Sequence, residues 1–282
     1  MPFIEGPIWT RVLAYIMASI IIILNSWQIA IMTKKRRKTS FEKLLLSMCS
    51  NELAFGVLAI IFAIAFQIKM LTKQELIIYT LWYVMMNHVC LAELSHLVTI
   101  TLDRVWAITS PIKHRNYVTG KKMVIAITLC WFLPILVVSV YIGVYFVKNK
   151  SPHDRKIIGQ FVRLQLYRYL AVVIIAMDLI FVLSYSSIIH KTRRDRTQLG
   201  NNKKQNKCPH RKTLFLCISY AALFVISTLP FVVVFLIPRK VPEWLINGSM
   251  GSYLLNSIAN STIYLGQYYS KKRGTNQSPE SS

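Results

Sequence analysis

Seven long apolar runs separated by short basic connectors set the layout of the chain. They cover Ile8 to Met32, Leu44 to Ile68, Leu76 to Trp106, Met123 to Val147, Val162 to Ile189, Thr213 to Ile237 and Trp244 to Tyr268. A helix needs about 20 apolar residues to cross a hydrocarbon layer of about 30 Å, and each run is long enough. The pattern predicts an all-α membrane protein, a bundle of seven transmembrane helices over residues 8–269. Residues 1–7 then form a short outer tail, and 270–282 a polar, disordered cytoplasmic tail.

The third run carries charge where lipid would not accept it. From Leu76 to Leu102 it spans about 40 Å as a helix, more than a bilayer core requires. Met86, Cys90, Glu93, Leu97, Ile100 and Arg104 recur every three or four residues on one face. Glu93 and Arg104 therefore point the same way, into the bundle rather than into lipid. Leu97 and Ile100 place an apolar barrier between them.

Composition narrows the classes. With 54% hydrophobic residues collected in long runs, no room is left for a separate soluble domain. The formal charge of +23 would ordinarily raise nucleic acid as a partner, but most of the 34 basic residues sit in the connectors after the first, third and fifth runs and in the tail. That bias places the N-terminus outside and the C-terminus in the cytoplasm, and it assigns the charge to membrane lipids and cytosolic partners instead of nucleic acid. Met1 to Trp9 lacks the basic start of a cleavable signal peptide, so the first run is expected to stay as a signal anchor. The five cysteines, Cys49, Cys90, Cys130, Cys208 and Cys217, avoid the expected outer loops, and no outer disulfide is expected.

The connectors add detail. Lys34 to Lys38 stops transfer, and Thr39-Ser40-Phe41-Glu42 has the form of a capping box. Pro111 should end the third helix at Thr109-Ser110, and Pro134 and Pro230 should kink the fourth and sixth. Lys148 to Lys156 is expected as an outer loop, and His190 to Lys212 as the largest inner one. The latter is either a solvated stop-transfer segment or a docking surface for an acidic partner or anionic lipid. Asn247-Gly248-Ser249, in an outer loop from Pro238 to Gly248, is a glycosylation sequon.

No nucleotide-binding glycine loop, metal-ligating cysteine pair or nucleophile elbow appears, so no enzyme is expected. Polar residues at matching depths stand out instead: Asn25, Glu52, Glu93, Asn256, Ser257 and Asn260, with Arg104, Tyr185 and Tyr264 nearer the inner face. A hydrated interior pocket built from them would satisfy the carboxylates and admit a small cation such as sodium, and the two carboxylates would titrate as a pair. The plainer alternative is polar glue between helices. Arg104 has a plainer alternative too, as an anchor snorkelling to phosphates.

These residues resemble the rhodopsin-like G-protein-coupled receptors, over about Trp9 to Tyr269. The motifs match in order: Asn25 in the first helix, Glu52 where the family has aspartate, Asp103-Arg104-Val105 for Asp-Arg-Tyr with Pro111 in frame, Trp131, Tyr185, Phe224 and Pro230, and Asn260-Ser261-Thr262-Ile263-Tyr264 for Asn-Pro-x-x-Tyr. The resemblance implies that Asp103, Arg104, Tyr185, Phe224, Pro230, Asn260 and Tyr264 form the activation switch. Arg104 would restrain the resting bundle, with Asp103 its local partner, and contact the G protein once the sixth helix swings outward. Met86, Cys90, Thr228 and Tyr253 would line the ligand pocket.

There are departures. The family's outer cysteine falls near Tyr79, Thr228 replaces the toggle tryptophan, Met177 and Ser261 replace prolines, and Glu93 stands near a usual serine. Met86 in place of the amine receptors' aspartate gives no reason to choose a biogenic amine, and the seventh run has no lysine for retinal.

The expected function is a multi-pass plasma-membrane receptor coupling a small organic, lipid or short-peptide ligand to a heterotrimeric G protein, with no cofactor beyond the sodium ion. Rival readings are an ion- or proton-coupled transporter or channel using Glu52, Glu93 and Asp178, and a receptor-like scaffold without signalling.

Overall fold

The computed structural model describes the backbone of residues 8–36, 38–67, 75–148, 154–198, 210–236 and 243–276, and side chains over a narrower set within them. Among the described residues the chain forms eight helices: α1 Ile8–Thr33, α2 Ser40–Gln67, α3 Glu75–Thr109, α4 Pro111–Tyr117, α5 Gly120–Lys148, α6 Asp154–Gln198, α7 His210–Leu236 and α8 Glu243–Asn276. The seven long ones coincide with the seven apolar runs, and α4 is a short addition between α3 and α5.

The helices exceed the runs at several ends. Asp154 already belongs to α6, which continues through Gln198, and α7 begins at His210, so the loops expected over Lys148 to Lys156 and His190 to Lys212 are partly helical. The sequon at Asn247 lies inside α8, not in a loop, because α8 starts at Glu243. The same helix runs on to Asn276, so the stretch from 270 expected as disordered is helical at its start. Hydropathy misses these ends because a helix satisfies its own backbone hydrogen bonds and continues into water wherever side-chain propensity permits.

Local chemistry explains the punctuation. Thr39 and Glu42 cap α2 reciprocally: the Thr39 N–H donates to Glu42 Oε2 at 2.9 Å, and the Glu42 N–H donates to Thr39 Oγ1 at 3.3 Å. Lys38 Nζ donates to the Thr33 carbonyl at the end of α1, at 3.5 Å, and to the Lys35 carbonyl just beyond it, at 3.1 Å. At Ser110 the backbone leaves helical geometry, with φ −145° and ψ 69°, and Pro111 opens α4 at the position where a missing N–H costs least. Pro134 and Pro230 lie within α5 and α7, neither of which is interrupted.

Burial is that of a bundle in lipid. On α5, Val124, Ile125, Leu129, Phe132, Leu133 and Leu136 face outward, whereas Met123, Cys130 and Val138 face in. Among the described residues five helices carry stretches long and apolar enough to cross a membrane, α1, α2, α5, α6 and α7. The two other long helices, α3 and α8, carry Glu93, Arg104, Asn256 and Asn260. Helix α3 packs against α2, α5, α6 and α7 and so lies at the centre, while α8 closes the ring between α7 and α1. The close approach of α1 and α2 needs Gly56: a Cβ there would lie 2.9 Å from Ile22 Cγ1 and 3.3 Å from the Ala18 carbonyl oxygen.

Candidate functional site: a polar seam through the bundle

The polar positions read from the sequence converge on one seam. Asn260 Nδ2, on α8, donates to Glu52 Oε1 of α2 at 3.0 Å and to Glu93 Oε1 of α3 at 3.2 Å. One amide thus bridges two carboxyl groups on different helices. A turn away, Asn256 Nδ2 donates to the same Glu93 oxygen. Asn25 joins from α1, accepting from Ser261 Oγ at 2.9 Å. Asn25, Glu52, Glu93, Asn256, Ser257, Asn260 and Ser261 are all buried to within 2%. Four-residue spacing on α8 makes this possible, because Asn256 and Asn260 share a face.

Ser261 is the residue that sequence reasoning undervalued. It counted only as a lost proline, yet its hydroxyl makes the α1–α8 hydrogen bond, which a proline has no donor to make. The signal available was its place directly after Asn260 in a run of polar residues.

The seam keeps spare acceptors. Glu52 Oε2, Asn256 Oδ1, Asn260 Oδ1 and Ser257 Oγ are buried without hydrogen-bond partners. Oxygen donors alone, with carboxylates among them, are the set a hard cation prefers over a soft one. The chemistry of the residues present fits a sodium ion, with Glu52, Glu93, Asn256, Ser257 and Asn260 as the side chains that would hold it.

A second cluster forms around Asp103. Its Oδ2 accepts from Arg104 Nε at 3.0 Å, from Arg104 Nη2, and from Ser40 Oγ at 3.2 Å, while Oδ1 lies 2.8 Å from His114 Nε2 on α4. Arg104 Cζ also stands 5.4 Å from the centre of the Phe41 ring. The aspartate therefore ties α3 to the start of α2 and to α4, and the guanidinium is held against α2. Sequence reasoning paired Asp103 with Arg104 but missed Ser40, Phe41 and His114. Nothing in a linear reading brings Ser40 to Asp103.

The remaining switch residues are placed as follows. The Tyr185 hydroxyl donates to Thr101 Oγ1 at 3.1 Å, since the threonine proton is already given to the Leu97 carbonyl at 2.8 Å. Phe224 is fully buried and meets Phe181 edge-on at 6.4 Å. Pro230 faces outward on α7, and Tyr264 packs half-buried against the core. Leu97 and Ile100 are buried between the two clusters.

Of the expected ligand-pocket residues, Cys90 and Thr228 are buried. Thr228 spends its hydroxyl on the Phe224 carbonyl at 2.8 Å. The side chains of Met86, Tyr253 and Asn247 lie outside the described residues.

A third network was not expected at all. Ser47 Oγ of α2 accepts from Trp131 Nε1 of α5 at 2.9 Å and lies 2.9 Å from His96 Nε2 of α3. His96 Nδ1 is 2.7 Å from the Ala92 carbonyl, which can only accept, so the ring proton sits on Nδ1 and Ser47 donates to Nε2.

Comparison with known families places the 7 transmembrane receptor (rhodopsin family) profile on residues 25–264. No curated protein matches the chain.

Proposed function

Because the chain belongs to the rhodopsin family of seven-transmembrane receptors, we propose that it transmits the binding of an extracellular ligand to a heterotrimeric G protein. Members of that family are receptors and the chain is a membrane protein. The finer reading is a non-enzymatic plasma-membrane receptor with its N-terminus outside and the Arg104 end of the bundle in the cytoplasm. The ligand is a small organic molecule, a lipid or a short peptide, bound among α3, α6, α7 and α8 near Met86, Cys90, Thr228 and Tyr253.

The observation that carries this reading is the bridge from Asn260 to both Glu52 and Glu93. It makes α8, α2 and α3 one mechanical unit, so a ligand that displaces α8 alters the seating of α3, whose inner end holds Arg104. A sodium ion held by the seam would favour the packing that keeps these helices together. Release of Arg104 from Asp103 and Ser40, with α7 moving outward, then opens a surface for the G protein. Agonist and G protein each favour the open state, and each therefore raises the affinity of the other.

The deciding experiment is reconstitution in lipid vesicles with added G protein. Nucleotide exchange that rises with a ligand and is lost in Arg104→Ala supports the receptor. Ion flux in protein-only vesicles that disappears in Glu93→Gln, without exchange, would replace it with a transporter. Against the transporter, Leu97 and Ile100 are buried between the carboxylates and Arg104. Unchanged partner binding and localisation in Arg104→Ala, with no exchange on any G protein, would indicate a scaffold.

A further inference from the structure

In the turn of α7 before Pro230, side-chain hydroxyls serve backbone carbonyls. Proline has no N–H for the Ile226 carbonyl and its ring crowds that oxygen, so the preceding turn is opened. Ser227 Oγ donates to the Phe224 carbonyl at 2.9 Å, and Thr228 Oγ1 donates to the same oxygen at 2.8 Å. Back-bonding of this kind bends helices. Residues 224–230 therefore make a hinge through which α7 stays continuous. Its inner end is Phe224, fully buried against Phe181 of α6.

A third hydroxyl reaches the same turn from another helix. Ser252 Oγ of α8 donates to the Ser227 carbonyl at 2.8 Å. Ser252, Asn256 and Asn260 follow one another at intervals of four, so they share a face of α8. Asn256 and Asn260 direct that face to Glu93 of α3 and Glu52 of α2, and Ser252 extends it to α7.

We propose that Ser252 is a positioning residue whose hydrogen bond to the Ser227 carbonyl holds the hinge of α7 closed and ties its angle to the position of α8. The Ser227 carbonyl belongs to the turn that the proline ring opens, and a hydroxyl from outside the helix supplies a donor to it. Ser227 and Ser252 are each followed in sequence by a residue expected to line the ligand pocket, Thr228 and Tyr253. A displacement of α8 at that level breaks the bond, and the inner half of α7 swings about Phe224. As a step in signalling this rests on the receptor reading; as a mechanical link it needs only the bundle.

The test follows two thiols: Cys217, buried on α7 inward of the hinge, and Cys130, buried on α5. The purified full chain in lipid nanodiscs is treated with a small thiol reagent under native conditions, and the modification rate of each cysteine is read from peptide masses. No ligand or G protein is present, so the outcome is independent of the signalling assignment. Modification waits on opening, and the rate therefore measures the open fraction however small it is. Ser252→Ala should speed modification of Cys217 about threefold, the effect of losing one interhelical hydrogen bond in a membrane, and leave Cys130 unchanged. Ser252→Thr keeps the hydroxyl and should match wild type at both. An unchanged Cys217 rate in Ser252→Ala overturns the proposal. Equal acceleration at Cys130, which marks general loosening, or a threonine variant that behaves as alanine, overturns it too. In a Pro230→Ala background α7 regains the missing N–H and stiffens, so adding Ser252→Ala should change the Cys217 rate by less than about 1.5-fold. A threefold rise there refutes the hinge. Should Ser252→Ala fail to fold alone, recovery of the fold in the Pro230→Ala background is the expected result, and failure in both backgrounds overturns the assignment.

Discussion

Ser47→Ala removes a single oxygen that serves two others. The hydroxyl accepts from Trp131 and donates to His96, at 2.9 Å each, and so joins α2, α3 and α5. Alanine leaves the indole N–H and the imidazole Nε2 facing a methyl group. His96 is fully buried, so no solvent replaces the lost donor, while Trp131 is only partly covered and regains some of its loss. Interhelical hydrogen bonds in membranes average about 0.6 kcal/mol, and an orphaned buried partner in a soluble core costs about 1–3 kcal/mol. Two bonds with one full orphan therefore give a loss of about 1–3 kcal/mol. At about 2–4 °C per kcal/mol, the scale for soluble domains somewhat smaller than this chain, the midpoint falls by roughly 2–12 °C.

A fluorogenic thiol dye suits the assay, because Cys49, Cys130 and Cys217 are buried thiols that react only as the bundle opens. Trp131→Phe serves as the partner variant: if the three side chains act as one unit, the double variant falls little further than Ser47→Ala alone. A shift below about 1 °C in Ser47→Ala, or full additivity with Trp131→Phe, would refute this account.

Further outcomes follow from the same geometry. Gly56→Ala drives a methyl group into Ile22 and the Ala18 carbonyl, so the dye-detected midpoint should drop by an amount equivalent to about 1–3 kcal/mol. Gly266→Ala, with open space around its Cβ, should leave it within about 1 °C. Asp103→Asn replaces a charged acceptor shared by Arg104, Ser40 and His114; basal nucleotide exchange in vesicles should rise about tenfold, as loss of about 1.4 kcal/mol from the resting state implies. Unchanged exchange in a folded variant would show that the aspartate does not hold the resting state. If the seam binds sodium, added sodium chloride should raise the wild-type midpoint more than choline chloride does, and Glu93→Gln should lessen that difference; equal effects of the two salts in wild type would remove the ion from the account.

Much of the architecture was written along the chain. The seven runs, the break at Ser110-Pro111, the cap at Thr39 and Glu42 and the polar character of the seam all depend on neighbours in sequence: hydropathy over a helix length, a proline ring against the preceding residue, a side chain reaching three positions along. A charge such as Glu93 inside an apolar run had to be sheltered, whatever sheltered it.

Which groups shelter one another was settled only by the packing of helices distant in the chain. Asn260 meets Glu52 and Glu93, Ser40 meets Asp103, and Ser47 joins His96 to Trp131 because depth and rotation bring them together once α3 is surrounded. Periodicity fixes the face a side chain occupies on its own helix, but not the partner that face will find. The partners follow from how the lipid-facing surfaces exclude the polar ones, and that is a property of the whole bundle.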